Sequence, residues 1–413
     1  MEPIVVGIDF GNESAQISYY NRSMQEPETI SAITGREQFT IPMILCKQEG
    51  KNRWVYGEEA KKTALKGEGL LVTNLLEKAV GGSSLEIEGE TYSYLQLLVI
   101  FLRKMWSGCL SNLGERKISS CMISVEELTG EMIDLLYELS EFLPVDSEKV
   151  YFQSHGESFY YYALHQNERE GKKALPAILI EEQDGIFQFY HLEYRSSSAR
   201  LTKHRREITA YGRFASSNEG ERDRMFLELM QLELESHPAG LVYLIGEFFE
   251  GDWMKDSLKY ICKGRRAFLG NNLFSKGCAY AAYCREAKID EPWLYLGENQ
   301  LKRELVLNLG EKVCRLTSLG ESWYEADAEL ELILEETDEL EFLMRDETET
   351  VREKKALRLE GLPRQKGFVT AVHMELYFES PTECQVEITD IGFGEITPAG
   401  GGHWETILSW ENR

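Results

Sequence analysis

The stretch from Ile4 to Tyr20 constrains the fold of this chain more than any other. It begins with β-prone residues and then reaches the sequence Asp9-Phe10-Gly11-Asn12. Alternating apolar residues resume after this point, at Ala15, Ile17 and Tyr19. This order is typical of a strand, a tight turn and a returning antiparallel strand.

The turn of this hairpin combines a glycine with a carboxylate at the strand end. Gly11 has no Cβ, so the backbone can bend sharply and bring its N–H groups close to an anion. Asp9 is suited to hold a hydrated divalent cation. The turn is therefore either a phosphate and metal site or an ordinary hairpin turn that contains an aspartate and a glycine.

The hairpin resembles the first phosphate motif of the heat-shock chaperone ATPases, which belong with actin and the sugar kinases. The resemblance implies that Asp9 binds Mg²⁺ through water and that Gly11, Asn12 and Glu13 lie at the phosphates of ATP or ADP. Asn12 and Glu13 stand where the common chaperones have two hydroxyl residues, as in the divergent, larger members of that family. The implied fold is an α/β two-lobed actin-like ATPase domain, built from a duplicated ribonuclease-H-like unit.

Length and charge limit the number of domains and the partners. A chain of 413 residues is too long for one compact core and predicts two or three domains. Its formal charge of −25 argues against nucleic acid or an anionic membrane as a partner, because the field of the protein repels polyanions. The beginning MEPIVV lacks the pattern of a signal peptide, and no stretch reaches the roughly 18 apolar residues that span a bilayer. We therefore expect a cytoplasmic protein.

The eight cysteines are scattered along the chain without C-x-x-C pairs. This spacing favours reduced core residues over a cysteine zinc site or a disulfide framework.

The segment of residues 150–166, VYFQSHGESFYYYALHQ, has the pattern of a strand followed by a helix. In the chaperone family this is the connection between the lobes, and an acidic residue at the start of the crossing helix orients the attacking water or a metal-bound water. Glu157 matches that position. The helix dipole also favours an acid near a helix N-terminus, so a purely structural role stays open.

The segment of residues 177–194, AILIEEQDGIFQFYHLEY, again reads as strand, turn and strand. The resemblance places the second phosphate loop here, with Glu181 near the attacking water and Gly185 at the phosphates. The family has an acid followed by three glycines and a threonine, whereas this chain keeps one glycine and carries three carboxylates. Like-charge repulsion then works against a phosphate ligand.

The residues that match the adenosine-binding motif of the family also include an acid in place of a glycine. Gly246 is followed by Glu247 where the family has two glycines, and Gly277 belongs to a closing helix of small residues. The resemblance assigns Gly246 and Gly277 to cofactor binding. The basic segment of residues 195–220 is too short for the subdomain that forms one wall of the adenine pocket. The resemblance thus predicts a nucleotide-binding domain over residues 1–288, with lobe I at about 1–172 and lobe II at about 173–288.

From residue 289 to residue 413, strand-like alternation replaces helical periods and predicts an all-β domain. One stretch resembles the peptide-binding β-sandwich of the family, at the landmarks Gly361, Leu362, Pro363 and Gly367. The resemblance implies a protein or peptide partner at this β-domain and a sandwich without the helical lid. Alternating glutamates from Glu325 to Glu349 predict an acidic outer face, which solvated strands explain as well as a ligand does.

Two functions follow from these patterns. The first is a chaperone-like or scaffold protein, in which a degenerate actin-like ATPase domain that holds no nucleotide is coupled to a protein-binding β-sandwich. The second is a chaperone-type ATPase that binds Mg-ATP and hydrolyses it slowly, with Asp9, Glu157 and Glu181 as catalytic residues. The glycine-poor second loop, Glu247 and the missing adenine wall count against hydrolysis. The patterns do not indicate an oligomeric state.

Overall fold

A computed structural model describes residues 3–32, 37–110, 117–169, 174–183, 186–207, 218–310, 312–363 and 366–411. The chain forms two compact units. The first, unit 1, comprises Met1–Ser196 and Arg200–Pro292, and the second, unit 2, comprises Ser197–Ala199 and Trp293–Arg413. Among the described helices, none has the length and apolar character that a membrane crossing requires. Six of the eight cysteines are buried, as expected for core residues.

The first half of unit 1 is rich in short strands. They are β1 (Ile4–Phe10), β2 (Ser14–Asn21), β3 (Glu26–Thr29), β4 (Ile41–Pro42), β5 (Leu45–Gln48), β6 (Trp54–Tyr56), β7 (Gly69–Val72), β8 (Ser84–Ile87), β9 (Glu90–Ser93), β10 (Ile118–Val125) and β11 (Val150–Ser154). The helices are α1 (Gly57–Leu65), α2 (Leu75–Val80), α3 (Tyr94–Leu110), α4 (Gly130–Ser140) and α5 (His155–Arg169). The hydroxyl of Thr129 accepts a hydrogen bond from the Met132 N–H and caps the start of α4.

The second half of unit 1 places helices between its later strands. The strands are β12 (Ala177–Gln183), β13 (Ile186–Arg195), β14 (Ser198–Glu207), β15 (Leu241–Ile245) and β16 (Arg266–Leu269). The helices are α6 (Glu219–Ser236), α7 (Asp256–Ile261) and α8 (Leu273–Ala287). Asn218 caps α6, because its side chain accepts a hydrogen bond from the Glu221 N–H.

Two sheets of unit 1 repeat one strand order. Sheet 1 runs β11-β10-β1-β2-β3, with β4 added to β2. In sheet 2 the order within this unit is β16-β15-β12-β13-β14. In sheet 1, β1 pairs antiparallel with β2 and parallel with β10, and β10 pairs parallel with β11. In sheet 2, β12 pairs in the same way with β13 and β15, and β15 pairs parallel with β16. The carboxyl ends of β1 and β12 therefore hold equivalent places in the two sheets.

Helix α8 packs against β1, β2 and β10 of sheet 1 and against α5. Two glycines allow this close approach. A Cβ on Gly7 of β1 would overlap backbone atoms of Ala279, and a Cβ on Gly277 would overlap the carbonyl oxygen of Ser158 in α5. The small residues of α8 thus bring its backbone onto β1 and α5 at van der Waals distance.

Helices α6 and α7 cover one face of sheet 2. Their apolar residues join a buried cluster with Phe187 and Phe189 of β13, which includes Phe226, Met230 and Ile261. Burial of these large side chains is the main stabilising contribution on this side of the unit.

Unit 2 is made mainly of strands. They are β17 (Leu294–Leu296), β18 (Glu304–Asn308), β19 (Val313–Arg315), β20 (Ala328–Glu335), β21 (Glu339–Arg345), β22 (Val351–Arg358), β23 (Val369–Ser380), β24 (Glu383–Asp390) and β25 (His403–Ser409). Sheet 3 has the order β19-β18-β21-β22, and sheet 4 has the order β20-β23-β24-β25. Neighbouring strands in both sheets are antiparallel.

Strand β23 shows how sheet 4 is stabilised. Every second residue from Thr370 to Phe378 is buried, and the residues between them face outwards. Alternation of this kind gives a sheet one core face and one solvated face.

Candidate functional site

The carboxyl ends of β1 and β12 bring Asp9 and Glu181 close to one buried histidine. Asp9 is the second-last residue of β1, and its Oδ1 lies 2.8 Å from Nε2 of His155, the first residue of α5. The ring of Phe274 in α8 stacks on the His155 ring at a centroid distance of 3.9 Å and an angle of 11°. We call Asp9, His155, Glu181, Tyr190 and Phe274 the strand-end cluster.

The environment of His155 favours its charged form. Burial alone lowers the pKa of His155, but the charge and the hydrogen bond of Asp9 raise it, and the charges of Glu181 and Glu126 raise it further. The outcome is a pKa above the ordinary value for histidine. The Asp9 carboxylate therefore has a largely buried partner in His155, and the two form an ion pair when His155 is protonated.

Glu181 is held by a chain of polar side chains on sheet 2. The Tyr190 hydroxyl lies 3.2 Å from Glu181 Oε2, and the Gln188 amide donates a hydrogen bond to the Tyr190 oxygen. Arg205 Nε in turn donates to Gln188 Oε1 at 2.8 Å. Burial raises the pKa of Glu181, and the charges of Glu126 and Asp9 raise it further against the opposing effect of His155. The raised pKa means that Glu181 gives up its proton less readily than an ordinary glutamate.

Two basic side chains of β14, Lys203 and Arg205, form ion pairs with glutamates just after the end of β10. Arg205 contacts Glu126 at 2.7 Å and Glu127 at 2.8 Å, directly after β10. Lys203 Nζ lies 3.4 Å from Glu127 Oε1. The Arg205 side chain is half exposed, so each pair contributes less than about 1 kcal/mol to stability. Their effect is geometric, because they link β14 of sheet 2 to the loop after β10 of sheet 1.

Two glycines expected to bind nucleotide, Gly11 at the phosphates and Gly246 at the adenosine, donate their N–H groups to protein acceptors. Gly11 N–H donates to the Ser14 carbonyl oxygen at 2.8 Å and closes the β1–β2 turn. Gly246 N–H donates to Asn271 Oδ1 at 3.1 Å. Gly246 has a φ of +120°, and a Cβ there would lie 2.6 Å from the Glu182 carbonyl oxygen, so the position requires glycine for backbone reasons.

The other residues singled out from the sequence lie in the β1–β2 turn, in α5 and in α8. Asn12 and Glu13 are exposed in the β1–β2 turn. Glu157 lies in the first turn of α5, near Tyr161: burial raises the pKa of that tyrosine and the Glu157 charge raises it further. Gly277 lies at the crossing of α8 with α5, where close packing accounts for the glycine. Gly185 lies outside the described residues.

Sequence reasoning missed His155 and Phe274. It selected Glu157 at the start of α5, whereas the residue that meets Asp9 is His155, two positions earlier. The sequence did contain a signal for His155. It lies at the junction of a buried strand and a helix, and a side chain at such a junction lies at the carboxyl end of the sheet. Phe274 carried no local signal, since its contact with His155 depends on how α8 packs against α5.

A second notable surface lies on the outward face of sheet 4. Strand register places Glu329 opposite Glu375, Glu375 opposite Glu387, and Glu387 opposite Glu405. These four glutamates form one row across β20, β23, β24 and β25, which we call the glutamate row. His373 Nε2 lies 3.3 Å from Glu375 and 3.5 Å from Glu329. Carboxylates directly opposite each other on neighbouring strands repel, so the row makes this face strongly negative.

Two protein-family models match the chain, one over most of unit 1 and one over most of unit 2. The model of the family of unknown function (DUF5716) C-terminal matches residues 26–298, which is more than half of the chain. A model for a domain of unknown function (DUF8552) matches residues 301–410. No curated protein matches the chain at a significant level.

Proposed function

The chain belongs to the family of unknown function (DUF5716) C-terminal, and from its strand-end cluster we propose that it is a scaffold protein that uses no nucleotide. In this proposal unit 1 is a degenerate, actin-like two-lobed domain. Unit 2 is a β-sandwich that binds a protein or peptide partner.

The actin-like part of the proposal is supported by the repeated strand order. Sheets 1 and 2 have the same sequence of antiparallel and parallel pairings, and Asp9 and Glu181 lie near the carboxyl ends of their first strands. Two equivalent α/β halves of this kind are what a duplicated ribonuclease-H-like unit requires. A shared architecture does not by itself bring activity, so the function is argued from the site.

The observation that carries the proposal is the buried ion pair of Asp9 with His155 at 2.8 Å. In an ATPase of this architecture the corresponding aspartate faces a hydrated Mg²⁺, and backbone N–H groups face the phosphates. Here the carboxylate contacts His155, the N–H of Gly11 donates to the Ser14 carbonyl oxygen, and the N–H of Gly246 on the adenosine side donates to Asn271. Nucleotide binding would have to break these contacts first.

The cost of breaking these contacts would offset a substantial part of the binding free energy of a nucleotide, which is about 8 kcal/mol for a micromolar complex. Separating a buried ion pair costs about 3 to 5 kcal/mol. Each 1.4 kcal/mol weakens a dissociation constant about tenfold, so this step alone weakens binding by about 150- to 4,000-fold.

The partner side of the proposal rests on the glutamate row. An outward face with four carboxylates in one row favours a basic segment over an acidic one, because complementary charge speeds encounter and fixes register. The formal charge of −25 for the whole chain acts in the same direction at long range.

Thermal unfolding with and without nucleotide tests the first half of the proposal. A ligand that binds only the folded state at 100 times its dissociation constant stabilises it by about 2.7 kcal/mol, which would raise the midpoint by several degrees. We expect no shift with millimolar Mg-ATP or Mg-ADP and no release of phosphate. A shift with either nucleotide would contradict the proposal, and phosphate release would restore the ATPase alternative.

A peptide array tests the second half. We expect basic peptides to bind and Glu387→Lys, in the middle of the glutamate row, to weaken that binding. Glu353→Lys makes the same charge change on β22 of sheet 3 and serves as the matched control. Absence of binders, or equal loss in both variants, would remove the glutamate row as the binding surface.

A further inference from the structure

A second buried carboxylate, away from the strand-end cluster, is surrounded by histidines. Glu233 of α6 has an exposed fraction of 0%. Three of the seven histidines of the chain lie around it: His191 of β13, His204 of β14 and His237 directly after α6. No nucleotide or peptide role accounts for this group.

The nitrogen atoms converge on one carboxylate oxygen. Glu233 Oε1 lies 3.0 Å from His191 Nε2, 3.2 Å from His237 Nδ1 and 3.4 Å from His204 Nε2. The donor atoms of His191, Glu233 and His237 all lie within 4.8 Å of one another. These are the separations that ligand atoms have around a common small ion: bonds of about 2.0–2.1 Å in a tetrahedron put ligand atoms about 3.3 Å apart.

Hydrogen bonding within the protein does not satisfy this carboxylate. Within the described part of the chain, neither oxygen of Glu233 has a hydrogen-bond partner of acceptable geometry, and the same holds for His237 Nδ1. Burying an ionised carboxylate with unmet lone pairs is costly unless a cation compensates it. Arg206 contacts the other oxygen, Oε2, at 3.2 Å and leaves Oε1 to the histidines.

We propose that His191, Glu233 and His237 bind a divalent transition-metal ion of the zinc class. Two imidazoles and one carboxylate are a ligand set that zinc uses in proteins, whereas Mg²⁺ and Ca²⁺ select sites made of oxygen ligands. The absence of sulfur from the set disfavours Cu(I) and iron–sulfur chemistry.

Two neighbouring residues support the ligands. Arg206 holds the free oxygen of Glu233, as outer-shell partners of metal-bound carboxylates commonly do. His204 borders the group, with its Nδ1 3.2 Å from His191 Nε2 and its Nε2 3.4 Å from Glu233 Oε1. The side chains of His237 and His204 are 39% and 33% exposed, so an ion can reach the group from solvent.

Two other groups of potential ligands make useful comparisons. His165, Cys284 and Glu291 lie close together near the α5–α8 contact, and Glu329, His373 and Glu375 lie on the glutamate row. The second group is on an exposed face, and its glutamates interact with solvent. Only the group around Glu233, among the three, contains a wholly buried carboxylate.

Metal binding here would join α6 to the β13 strand of sheet 2. Since ligands from both elements converge on the ion only in the folded chain, zinc should stabilise the folded state and raise the thermal midpoint. The experiment uses the full chain after chelator treatment and dialysis, titrated with Zn²⁺ by calorimetry. We expect one strongly bound ion per chain and a higher midpoint.

Variants locate the ion. Changes to outer-shell residues typically weaken metal binding by about 10- to 100-fold, and Arg206→Gln should fall in that range. His237→Gln and Glu233→Gln remove ligands and should each weaken Zn²⁺ binding by more than that. His237 is partly exposed, so its variant should fold. His373→Gln, in the glutamate row, is the matched control and should bind like the unchanged chain. If Glu233→Gln does not fold, Zn²⁺ binding to His237→Gln still tests the proposed site.

Cobalt substitution separates this group from the one that contains Cys284. Co²⁺ bound by nitrogen and oxygen ligands gives no sulfur-to-metal charge-transfer band, which is the expected result. Such a band, absence of stoichiometric Zn²⁺ binding, or full binding in His237→Gln would each overturn the proposal.

Discussion

Replacing His155 by glutamine should destabilise unit 1 by about 3 kcal/mol. His155 Nε2 lies 2.8 Å from Asp9 Oδ1, and the two side chains are only 6% and 13% exposed. Unit charges about 4 Å apart attract by about 4 kcal/mol at an effective dielectric constant of 20. The variant loses this attraction and leaves the Asp9 carboxylate buried without its cation, for which about 3 to 5 kcal/mol is the usual cost.

The loss should depend on pH in a defined direction. The pKa of His155 in the folded protein is raised above its usual 6.5, so the folded state keeps a proton that the unfolded chain releases. Stability from this pair is therefore complete below a pH of about 6.5 and is lost as the pH rises through the folded-state pKa. The difference in the free energy of unfolding between the unchanged chain and His155→Gln should shrink over that range.

Urea unfolding at several pH values measures both effects. Asp9→Asn provides the second arm of a double-mutant cycle, and the double variant should lose less than the sum of the single losses by about 1 to 3 kcal/mol. A loss below about 1 kcal/mol in His155→Gln, with no pH dependence in the difference, would refute a buried ion pair at this position.

Two further changes test the packing and the glutamate row. Gly277→Val should lower the free energy of unfolding by about 3 kcal/mol or more, because the added side chain overlaps the Ser158 carbonyl oxygen. Gly130→Ala, at the start of α4, meets no neighbouring atom and should be nearly neutral in urea unfolding. Equal losses in the two variants would contradict the close α5–α8 contact. Glu387→Lys should raise the free energy of unfolding by about 0.5 to 1 kcal/mol at low salt, because it relieves repulsion across β24, and the gain should fall as salt is added. A gain that does not depend on salt would show that repulsion is not its cause.

Local patterns predicted the regular elements well. The alternation from Ile4 to Tyr20 became β1 and β2, and the strand-then-helix pattern of residues 150–166 became β11 and α5. The closing helix of small residues that contains Gly277 became α8 (Leu273–Ala287). These elements could be predicted because periodicity and turn chemistry are properties of neighbouring residues.

The chemistry of both sites depends on distant parts of the chain and was harder to predict. His155 meets Asp9 only because β11 lies in the same sheet as β1 and leads directly into α5. His191 and Glu233 belong to a strand and a helix whose relative placement no local pattern specifies. A weak signal existed, since Glu233 and His237 are four residues apart at the end of one helix and therefore share a face.

The central claim is that the groups expected to hold a nucleotide, among them the N–H groups of Gly11 and Gly246, are committed to protein partners and bind no nucleotide. Hydrogen exchange of the peptides that contain Gly11 and Gly246 tests it directly, because both N–H groups are hydrogen-bonded within the protein. The account predicts protected amides without nucleotide and the same exchange rates with millimolar Mg-ATP. A change in the exchange of either peptide on addition of Mg-ATP would contradict it.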